Sequence, residues 1–490
     1  MNYSIALPEE IHRKACVHLI REDGQEDICF ALWYPSQGHH RKSALIHKLL
    51  LPKPGERGVH GNASFNPEYF ERAMQEALLA KAGIALMHSH PGPGWQGMSS
   101  DDVAAERGHA AAALAATSLP LVGLTIGTDE AWSARFWEKT GPKKYQRRWC
   151  YSVRVVGERL AVTFADHLSP PPGFRKELLR TESAWGQKVQ QNLSRLHVGI
   201  VGLGSVGSII AETVARMGVS KVSLIDFDSV KQHNLDRILH SSRADAAHGR
   251  AKVQMLAKAM KNSATAEGFT VIPLEFSVIE EEGHSAALDC DVIFSCVDRP
   301  YPRAALNHIA YAHLIPVIDG GIAARSNKTN TGIKSADWRA HAVGPGHKCL
   351  ECLGQITPET VAQDRDGFLD DPKYIEGLPP SHDAHHNENV FAFSLSVAAL
   401  EVQHFLKLVV PDYGPTSLGA RLYHHVTGIM DVDTDLCVAG CYYSGLAARG
   451  DSSGITFVAK HKVAEQARQE RSRGMPNKFF DWIKSKRRRI

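Results

Sequence analysis

The sequence has no apolar run that approaches the roughly 18 to 20 residues needed to cross a membrane. Its first residues, MNYSIALPEEIHRK, lack the basic segment and the apolar core of a secretion signal. It also has no internal repeat and no long low-complexity region. We therefore expect a cytoplasmic protein without a membrane span.

The composition excludes disorder along the whole chain. Hydrophobic residues make up 43% of the 490 residues and charged residues 22%, which is enough apolar material for a sizeable core. A chain of this length exceeds what one core usually organises, so we expect at least two domains. Nine cysteines without an export signal suggest thiols or metal ligands in place of disulfides.

The net charge of +3 is distributed unevenly along the chain. Residues 461–490 contain ten Lys or Arg against three Asp or Glu, and the sequence ends in KSKRRRI. Such a basic tail suits solvent, an anionic lipid or an acidic partner. Because no nucleic-acid-binding motif accompanies it, a nucleic-acid partner is not expected.

A proline-rich stretch at residues 167–176, HLSPPPGFRK, favours an extended linker between domains. Before it, strand-like runs such as GIALMHSH and the helix-like NPEYFERAMQEALLAKA predict an α/β domain over residues 1–166. After it, apolar runs alternate with helix-like stretches, which predicts a doubly wound parallel sheet over residues 177–446. Residues 447–490 are then the basic C-terminal tail.

Two histidines end the strand-like run GIALMHSH. His88 and His90 are two residues apart, so at a strand end both side chains project from one face and can bind one metal ion. Asp102 can provide a third ligand. Zinc held by two histidines and a carboxylate keeps a coordination position for a reactive water.

The pattern HSHP followed by Ser99-x-x-Asp102 resembles the JAMM (JAB/MPN-type) metalloproteases, which cleave isopeptide or peptide bonds after ubiquitin-like proteins. The resemblance covers about the first 165 residues. It implies that His88, His90 and Asp102 hold a catalytic zinc ion. It also implies that Ser99 donates a hydrogen bond to the oxyanion formed during cleavage.

Two choices within this resemblance stay open to test. The family uses an upstream glutamate to accept a proton from the zinc-bound water, and we assign Glu26, with Glu22 as the alternative. The loop before Ser99 is one residue longer than is usual in the family. The shorter alignment would make Asp101 the ligand and would put Met98 in the place of the serine, so we favour Asp102.

A glycine loop, Gly202-x-Gly204-x-x-Gly207, follows a strand-like run and precedes a helix-like one. In this context glycines permit a tight turn, and the helix N-terminus faces a phosphate group. Asp226, at the end of the next strand-like run, is placed to bind a ribose hydroxyl. The loop alone is equally typical of an NAD-dependent dehydrogenase.

The residues after the glycine loop resemble the ThiF/MoeB-type activating enzymes, which adenylate the C-terminus of a ubiquitin-like protein. The shared residues are Asp226, Asp228, Asn234, Leu235, Arg237, Lys252, Asp298 and Arg303. Upstream, Arg180 matches an arginine that in the family reaches into the active site of a dimer partner.

This resemblance implies a Rossmann-like adenylating domain that uses ATP and acts as a homodimer. Asp298 would hold Mg²⁺, which prefers carboxylate and phosphate oxygens. Arg237, Lys252 and Arg180 would offset the repulsion between the attacking carboxylate and the phosphates of ATP.

Two cysteine pairs, Cys349-x-x-Cys352 and Cys437-x-x-x-Cys441, predict a structural zinc ion bound by four thiolates. The activating enzymes often have such a site. Those that form a thioester also carry a cysteine in the loop after the first pair, and here no cysteine lies between Cys352 and Cys437. The loop at residues 364–389 offers other polar groups, namely Ser381, His382, His385 and His386.

The two resemblances together predict a fused enzyme of the kind found in prokaryotic ubiquitin-like conjugation systems. One half would be a zinc-dependent (iso)peptidase that trims or deconjugates a ubiquitin-like protein, and the other would adenylate its C-terminal carboxylate. A conjugating enzyme is the expected second partner. The alternatives are activation of a sulfur-carrier protein for biosynthesis, a non-catalytic scaffold that binds a ubiquitin-like protein, and a dehydrogenase.

Overall fold

Two large β-sheets organise the described residues, one before and one after the proline-rich stretch, and helices pack on each of them. The computed structural model describes residues 1–327, 331–376, 388–414 and 417–472. The predicted α/β fold class is confirmed. Four residues of the predicted loop lie outside the described residues: Ser381, His382, His385 and His386.

The first unit is built on a nine-stranded mixed sheet. In chain order its elements are β1 (Asn2–Pro8), α1 (Glu9–Leu19), β2 (Ile28–Gln37), β3 (Arg41–Leu50), β4 (Arg57–His60), β5 (Asn62–Phe65), α2 (Pro67–Ala80), β6 (Gly83–Ser89), α3 (Ser100–Thr117), β7 (Leu121–Ile126), β8 (Trp132–Gly141), β9 (Lys144–Trp149), β10 (Ser152–Val156) and β11 (Leu160–Phe164). The strand order is β11-β10-β1-β3-β2-β6-β7-β8-β9, and β4 and β5 form a separate hairpin. Strand β6 lies inside the sheet and is buried along its whole length.

Local sequence explains where the helices beside β6 begin and end. Helix α2 follows Asn66, whose side chain accepts a hydrogen bond from the N–H of Tyr69, and it ends at Lys81 in the left-handed conformation. Helix α3 begins with a capping box, in which Ser99 and Asp102 each accept a hydrogen bond from the other's backbone N–H. This cap fixes the position of the Asp102 carboxylate relative to the sheet.

The second unit is built on an eight-stranded sheet. In chain order its elements are α4 (Leu179–Trp185), α5 (Gln187–Arg195), β12 (His197–Val201), α6 (Ser205–Arg216), β13 (Lys221–Ile225), α7 (Arg243–Ala247), α8 (Lys252–Ser263), β14 (Thr270–Leu274), α9 (Glu281–Ala287), β15 (Val292–Ser295), α10 (Pro300–Ala312), β16 (Val317–Ser326), β17 (Ile333–Val343), α11 (Pro358–Arg365), α12 (Pro372–Glu376), α13 (Phe391–Val409), β18 (Ala420–His424), β19 (Ile429–Asp433) and α14 (Tyr442–Gly445). Short 3₁₀ segments occur at Lys176–Leu178, Gln232–Asn234, Phe368–Asp370 and Gly450–Ser452.

The strand order of this sheet is β14-β13-β12-β15-β16-β17-β18-β19. The five strands β14, β13, β12, β15 and β16 pair in parallel, as predicted. From β16 onward, through β17 and β18 to β19, each pair is antiparallel. The chain proceeds outward from β12 through β13 to β14 and then crosses to β15. The crevice at the carboxyl ends of β12 and β15 is therefore the switch point where ligands bind in such sheets.

Helix α13 is long and apolar enough to cross a membrane by length and composition, with a mean hydropathy of 1.3 over its best window. Of that window, 56% is buried inside the protein. The helix packs against β16, β17 and α6 and carries the fully buried Glu401. These contacts are those of a core helix in a globular unit.

Buried polar contacts join the two units. Arg41 of β3 donates from Nη1 to Oδ1 of Asp291 at 2.6 Å and from Nε to the carbonyl of Leu288 at 3.1 Å. Ser36 and His313 form a second buried hydrogen bond, of 2.8 Å. Because charged groups inside a protein require partners, these contacts fix the relative position of the units.

The segment predicted as a tail starts as a packed element, which corrects the prediction for residues 447–472. The hydroxyl of Tyr34 accepts from Arg449 at 2.7 Å, and the backbone N–H of Ala459 donates to the carbonyl of Ile279 at 2.7 Å. A helix over residues 462–472 follows, and Ala464 within it is fully buried. The prediction failed because it rested on the basic composition of the segment, which does not indicate these few apolar and backbone contacts.

Candidate active sites

Three side chains of the first unit converge at the carboxyl end of β6. Nε2 of His88 lies 3.2 Å from Nε2 of His90 and 3.4 Å from Oδ1 of Asp102. Nε2 of His90 lies 3.2 Å from Oδ2 of the same carboxylate. All three potential ligand atoms lie within 4.8 Å of one another, which is the spacing of a single metal ion's ligands.

The electrostatics of this cluster favour a cation. Burial raises the pKa of Asp102, but hydrogen bonds with His88 and His90 outweigh burial and hold it well below its usual range. Nδ1 of His88 is buried and has no hydrogen-bond partner in the described parts of the chain, so the ring's contacts are made through Nε2. Two imidazoles and one carboxylate form a donor set that fits zinc.

Glu26 and Ser99 flank the cluster. The carbonyl of Asp27 accepts the N–H of Ser89 at 3.1 Å, which extends the pairing of β2 with β6 to Asp27. Glu26 directly precedes this residue, and its own N–H donates to the carbonyl of Gly61 at 3.1 Å. The Glu26 side chain forms no hydrogen bond or ion pair to any described residue. The Ser99 hydroxyl oxygen accepts the N–H of Asp102 at 3.1 Å, which leaves its own proton free to donate.

Thr125 is a neighbour of the cluster that sequence reasoning missed. Its hydroxyl lies 3.3 Å from Nε2 of His88, and it accepts a hydrogen bond from Arg135 at 2.5 Å. Thr125 is in register with His88 on the parallel strand β7. Only the strand pairing reveals this proximity, and the sequence offered no signal for it.

The glycine loop of the second unit joins β12 to α6. Gly202 has φ +86°, and a Cβ there would lie 2.5 Å from the carbonyl oxygen of Cys296. A Cβ on Gly207 would lie 2.0 Å from the carbonyl oxygen of Gly202. Gly204 instead faces open space, so a ligand can approach its backbone closely. The first and third glycines are required by the fold itself.

A lysine and two aspartates lie beside the loop. Nζ of Lys252 is 2.9 Å from Oδ2 of Asp228 and 3.9 Å from Oδ2 of Asp226. Asp226 also accepts backbone N–H groups of Leu203, at 2.6 Å, and of Asp228, at 2.7 Å. Its carboxylate therefore ties the glycine loop to the end of β13.

Burial and charge oppose each other in this group. Burial raises the pKa of Asp226, against the attraction of Lys252. Burial lowers the pKa of Lys252, but the carboxylates of Asp226 and Asp228 outweigh burial and raise it. Lys252 is thus a nearly buried ammonium group that keeps its proton, a form suited to binding anionic phosphate.

Three other predicted residues of the nucleotide site are Asp298, Asn234 and Arg180, and their environments differ. Asp298 follows β15 and is exposed, and its negative charge contributes to the raised pKa of Lys252. The Asn234 side chain accepts the N–H of Lys231 at 3.0 Å and shapes the turn after β13. Arg180 is exposed on α4 and has no ion-pair partner in the described ranges.

Among the described residues, the Arg237 side chain forms no ion pair with Asp226 or Asp228. Its guanidinium binds the carbonyl of His233 at 2.6 Å and Oδ1 of Asp236 at 2.8 Å. Arg303 also has a local partner, since its Nε lies 3.4 Å from Asp319.

One contact beside the glycine loop was not predicted. Asn389, just before α13, donates from Nδ2 to the hydroxyl of Ser205 at 3.0 Å. Ser205 is the first residue of α6, and its distant partner could not be predicted from the sequence. The contact links the first turn of α6 to the segment that leads into α13.

The four predicted cysteines converge beside α10. Sγ of Cys349 lies 3.7 Å from Sγ of Cys441, and all four sulfur atoms lie within 4.8 Å of one another. The N–H of Cys349 donates to Sγ of Cys437 at 3.1 Å, and the N–H of Cys352 donates to Sγ of Cys349 at 3.2 Å. None of the nine cysteines forms a disulfide.

Negative charge is distributed unevenly in this cluster, because the hydrogen bond to Cys437 raises the pKa of Cys349 and burial raises the pKa of Cys352. Hydrogen bonding from the Cys349 thiol lowers the pKa of Cys437 to about 5, against the effect of burial, and the Tyr311 hydroxyl at 3.5 Å acts in the same direction. Four convergent sulfurs, of which Cys437 and Cys349 accept the N–H groups given above, form the donor set of a structural tetrahedral zinc site.

Comparison with known proteins identifies the family of the second unit. The model of the ThiF family matches residues 177–427, just over half of the chain. Among curated proteins, the chain is 28% identical over 148 residues to tRNA threonylcarbamoyladenosine dehydratase of Escherichia coli, covering 30% of this chain and 54% of that protein. It is 29% identical over 173 residues to molybdopterin-synthase adenylyltransferase of Escherichia coli, covering 35% and 64%.

A third relative is ubiquitin-like modifier-activating enzyme 5 of Drosophila mojavensis, 28% identical over 169 residues, covering 32% of this chain and 40% of that protein. The chain thus spans about half the length of the curated relatives it matches. The family match covers the glycine loop, the buried lysine and its two aspartates. The chain belongs to the ThiF family.

Proposed function

We propose that this protein is a bifunctional enzyme acting on the C-terminus of a ubiquitin-like protein. The second unit adenylates the C-terminal carboxylate with ATP, and the first unit is a JAMM-like zinc (iso)peptidase. The observation that carries the adenylation proposal is the buried Lys252 beside Asp226 and Asp228 at the glycine loop of a ThiF-family domain. The names of two relatives, an adenylyltransferase and a ubiquitin-like modifier-activating enzyme, support it.

Adenylation joins two anions, so its barrier is largely electrostatic. A carboxylate oxygen attacks the α-phosphorus of ATP, and the bond to the leaving pyrophosphate breaks with its electron pair. Lys252 compensates the growing negative charge together with Arg237, whose guanidinium would exchange its contact with Asp236 for the phosphates. Backbone N–H groups at the start of α6 bind phosphate oxygens. Asp226 binds the ribose, and Asp298 is the ligand available for Mg²⁺.

The peptidase proposal rests on the convergence of His88, His90 and Asp102. Zinc bound by these side chains would supply a water of lowered pKa. Glu26 would hold the proton released from the nucleophile at its carboxylate and deliver it to the leaving amine. The free hydroxyl proton of Ser99 is donated to the oxyanion of the attacked carbonyl.

The four-cysteine cluster holds a second, structural zinc ion in this proposal. Cys349 and Cys352 follow β17, whereas Cys437 and Cys441 follow β19. Zinc would join these two segments across a long sequence separation and stabilise the antiparallel side of the sheet. It would take no part in adenylation.

Pyrophosphate exchange tests the adenylation proposal directly. The full chain is incubated with ATP, Mg²⁺, labelled pyrophosphate and the candidate ubiquitin-like protein. Label should enter ATP only when the partner is present, and Asp298→Ala should abolish the exchange. Asp366→Ala, a change at an exposed aspartate paired with Arg365 and away from the site, is the matched control. Absence of exchange with a partner that binds would overturn the proposal.

Sulfur-carrier activation is the second candidate function. The absence of a cysteine between Cys352 and Cys437 in the sequence favours it, because thioester formation would need another nucleophile. Both candidates begin with the same acyl-adenylate and differ in the acceptor. Mass spectrometry of the partner distinguishes them, since sulfur transfer leaves a thiocarboxylate and conjugation leaves an amide bond. A non-catalytic scaffold would give neither product and no exchange.

A further inference from the structure

The hairpin of β8 and β9 is strongly basic. Between residues 139 and 148, with the sequence KTGPKKYQRR, five residues are Lys or Arg and none is acidic. Strand β9 is the last strand of its sheet, so its outer edge has no strand partner in the described ranges. The hairpin thus combines positive charge with free backbone donors and acceptors.

A groove of 690 Å³ lies between this hairpin and α3. Its lining includes four basic and no acidic residues. The residues that line it are Arg107, Ala111, Lys139, Thr140, Lys143, Lys144, Tyr145 and Gln146. We call it the basic groove. None of the residues used by either proposed active site lines it.

The cations of the basic groove are uncompensated. Arg107, Lys139, Lys143 and Lys144 are all exposed, and none has a salt bridge to any described residue. By contrast, nearby Lys42 has a partner, Glu138, at 2.9 Å. Like charges gathered without counter-charges raise the local positive potential, so the groove attracts an anionic ligand.

The basic groove and the metal cluster share helix α3. Asp102 lies in the first turn of α3 and Arg107 five residues later, roughly 7.5 Å along the axis at 1.5 Å per residue. Arg147 of β9 lies 3.1 Å from Sδ of Met98 in the loop before α3, and its guanidinium lies 4.7 Å from the centre of the Trp149 ring. At 3.6 residues per turn, five residues place Arg107 about 140° around the helix from Asp102, so the groove and the cluster lie on different faces of α3, and the contact of Arg147 with Met98 connects β9 to the loop before α3.

We propose that the basic groove binds an acidic, extended segment of the protein substrate of the first unit. The inference rests on the proposed peptidase activity. Carboxylates of the segment pair with Arg107, Lys139 and Lys143, while its backbone adds to the free edge of β9. Single-stranded nucleic acid fits less well, because Tyr145 is the only aromatic residue in the lining and bases need rings to stack on.

Fluorescence anisotropy with labelled decaglutamate tests this assignment on the full chain. Every protein carries Arg487→Gln, Arg488→Gln and Arg489→Gln, which weakens the basic C-terminus as a competing site. The test variant is Lys139→Glu with Lys143→Glu. The control is Lys258→Glu with Lys261→Glu, an equal charge change at exposed lysines on α8. Deca-thymidylate and a neutral Gly-Ser peptide are the comparison ligands.

We expect decaglutamate to bind, to lose about tenfold or more in affinity in the test variant, and to keep its affinity in the control. Equal binding of the Gly-Ser peptide, or equal losses in both variants, would overturn the inference. So would tighter, variant-sensitive binding of deca-thymidylate. The same titration with His88→Ala separates the groove proposal from the peptidase proposal. This change removes a ligand of the metal cluster but no residue of the groove, so decaglutamate should bind with unchanged affinity whether or not the first unit is a peptidase.

Discussion

The ammonium group of Lys252 lies 2.9 Å from a carboxylate oxygen of Asp228, at the first turn of α8. The lysine is nearly buried, so its charge acts through a medium of low polarity and is worth more than a surface charge. A phosphate group that binds at the glycine loop has to compete with Asp228 for this cation. In the proposed adenylation, Lys252 is therefore the buried cation that is available to the phosphate groups.

Replacement of Lys252 by Met should therefore remove adenylation without changing the volume of the site. We expect pyrophosphate exchange to fall by a factor of about 10² to 10³, the loss seen when one charge-stabilising group is removed. Lys258→Met, at an exposed position on the same helix, should exchange at the wild-type rate. A Lys252→Met enzyme with normal exchange would show that another cation serves the phosphates.

Zinc content distinguishes the two metal clusters. Elemental analysis of the purified chain should find about two zinc ions, and either Cys437→Ser or His88→Ala should reduce this to about one. Cys296→Ser, at a free thiol outside every candidate metal group of the described residues, should leave the content unchanged. Only the loss at Cys437 should lower the melting temperature strongly, because that ion joins distant segments. If Cys437→Ser kept both ions, the four-thiolate site would be refuted.

The choice between Glu26 and Glu22 as the proton acceptor can be tested by paired substitutions. Glu26→Gln should retain zinc but cleave a ubiquitin-like protein fused to a C-terminal peptide about 10² or more times more slowly. Glu22→Gln should cleave at the wild-type rate, because Glu22 is exposed and lies five residues before Asp27, where the pairing of β2 with β6 begins, whereas Glu26 directly precedes Asp27. The reverse result would transfer the role to Glu22.

The contact between the units predicts a pH-dependent stability. Burial raises the pKa of Asp291, but Arg41 and Arg154 outweigh burial and lower it. The stabilising contribution of the ionised carboxylate is therefore present above the unfolded-state pKa near 3.9 and is lost as the pH falls through the lower folded-state value. Asp291→Asn should cost about 3 kcal/mol of unfolding free energy at pH 7.

Urea unfolding of wild type and Asp291→Asn at several pH values measures this effect. The difference between the two proteins should be constant from pH 7 down to about 5 and should narrow below the unfolded-state pKa near 3.9. Asp366→Asn, at an exposed ion pair, should follow the wild-type curve at every pH. A difference that stays the same down to the lowest pH at which the protein folds would mean that Asp291 acts through packing and not through charge.

Local patterns made parts of both sites predictable from the sequence. His88 and His90 share a strand end, and Ser99 with Asp102 forms a capping box, so spacing alone indicates their geometry. The glycine loop is equally local. In each case the residues lie within about fifteen positions of one another, and no long-range pairing is needed to foresee their contact.

Contacts between distant segments could not be predicted. Thr125 reaches His88 only because β7 pairs with β6, and Arg41 reaches Asp291 only because two sheets pack together. The packed helix at residues 462–472 was hidden by its basic composition, since Arg468 and Arg471 form ion pairs with Glu280 and Glu275 instead of remaining in solvent. Such pairings depend on topology, which the local sequence does not encode.

The proposed role of Arg180 in a partner subunit can be tested by complementation. Arg180→Ala and Asp298→Ala should each lose pyrophosphate exchange when assayed alone. If Arg180 serves the site of the partner, a mixed dimer of the two variants has one intact site, so co-expressed variants should recover about a quarter of the wild-type rate. Size-exclusion chromatography with light scattering should show a dimer for all proteins. Because an arginine that acts in its own subunit would leave both sites of the mixed dimer defective, absence of recovery by a confirmed mixed dimer would place Arg180 outside the partner's site.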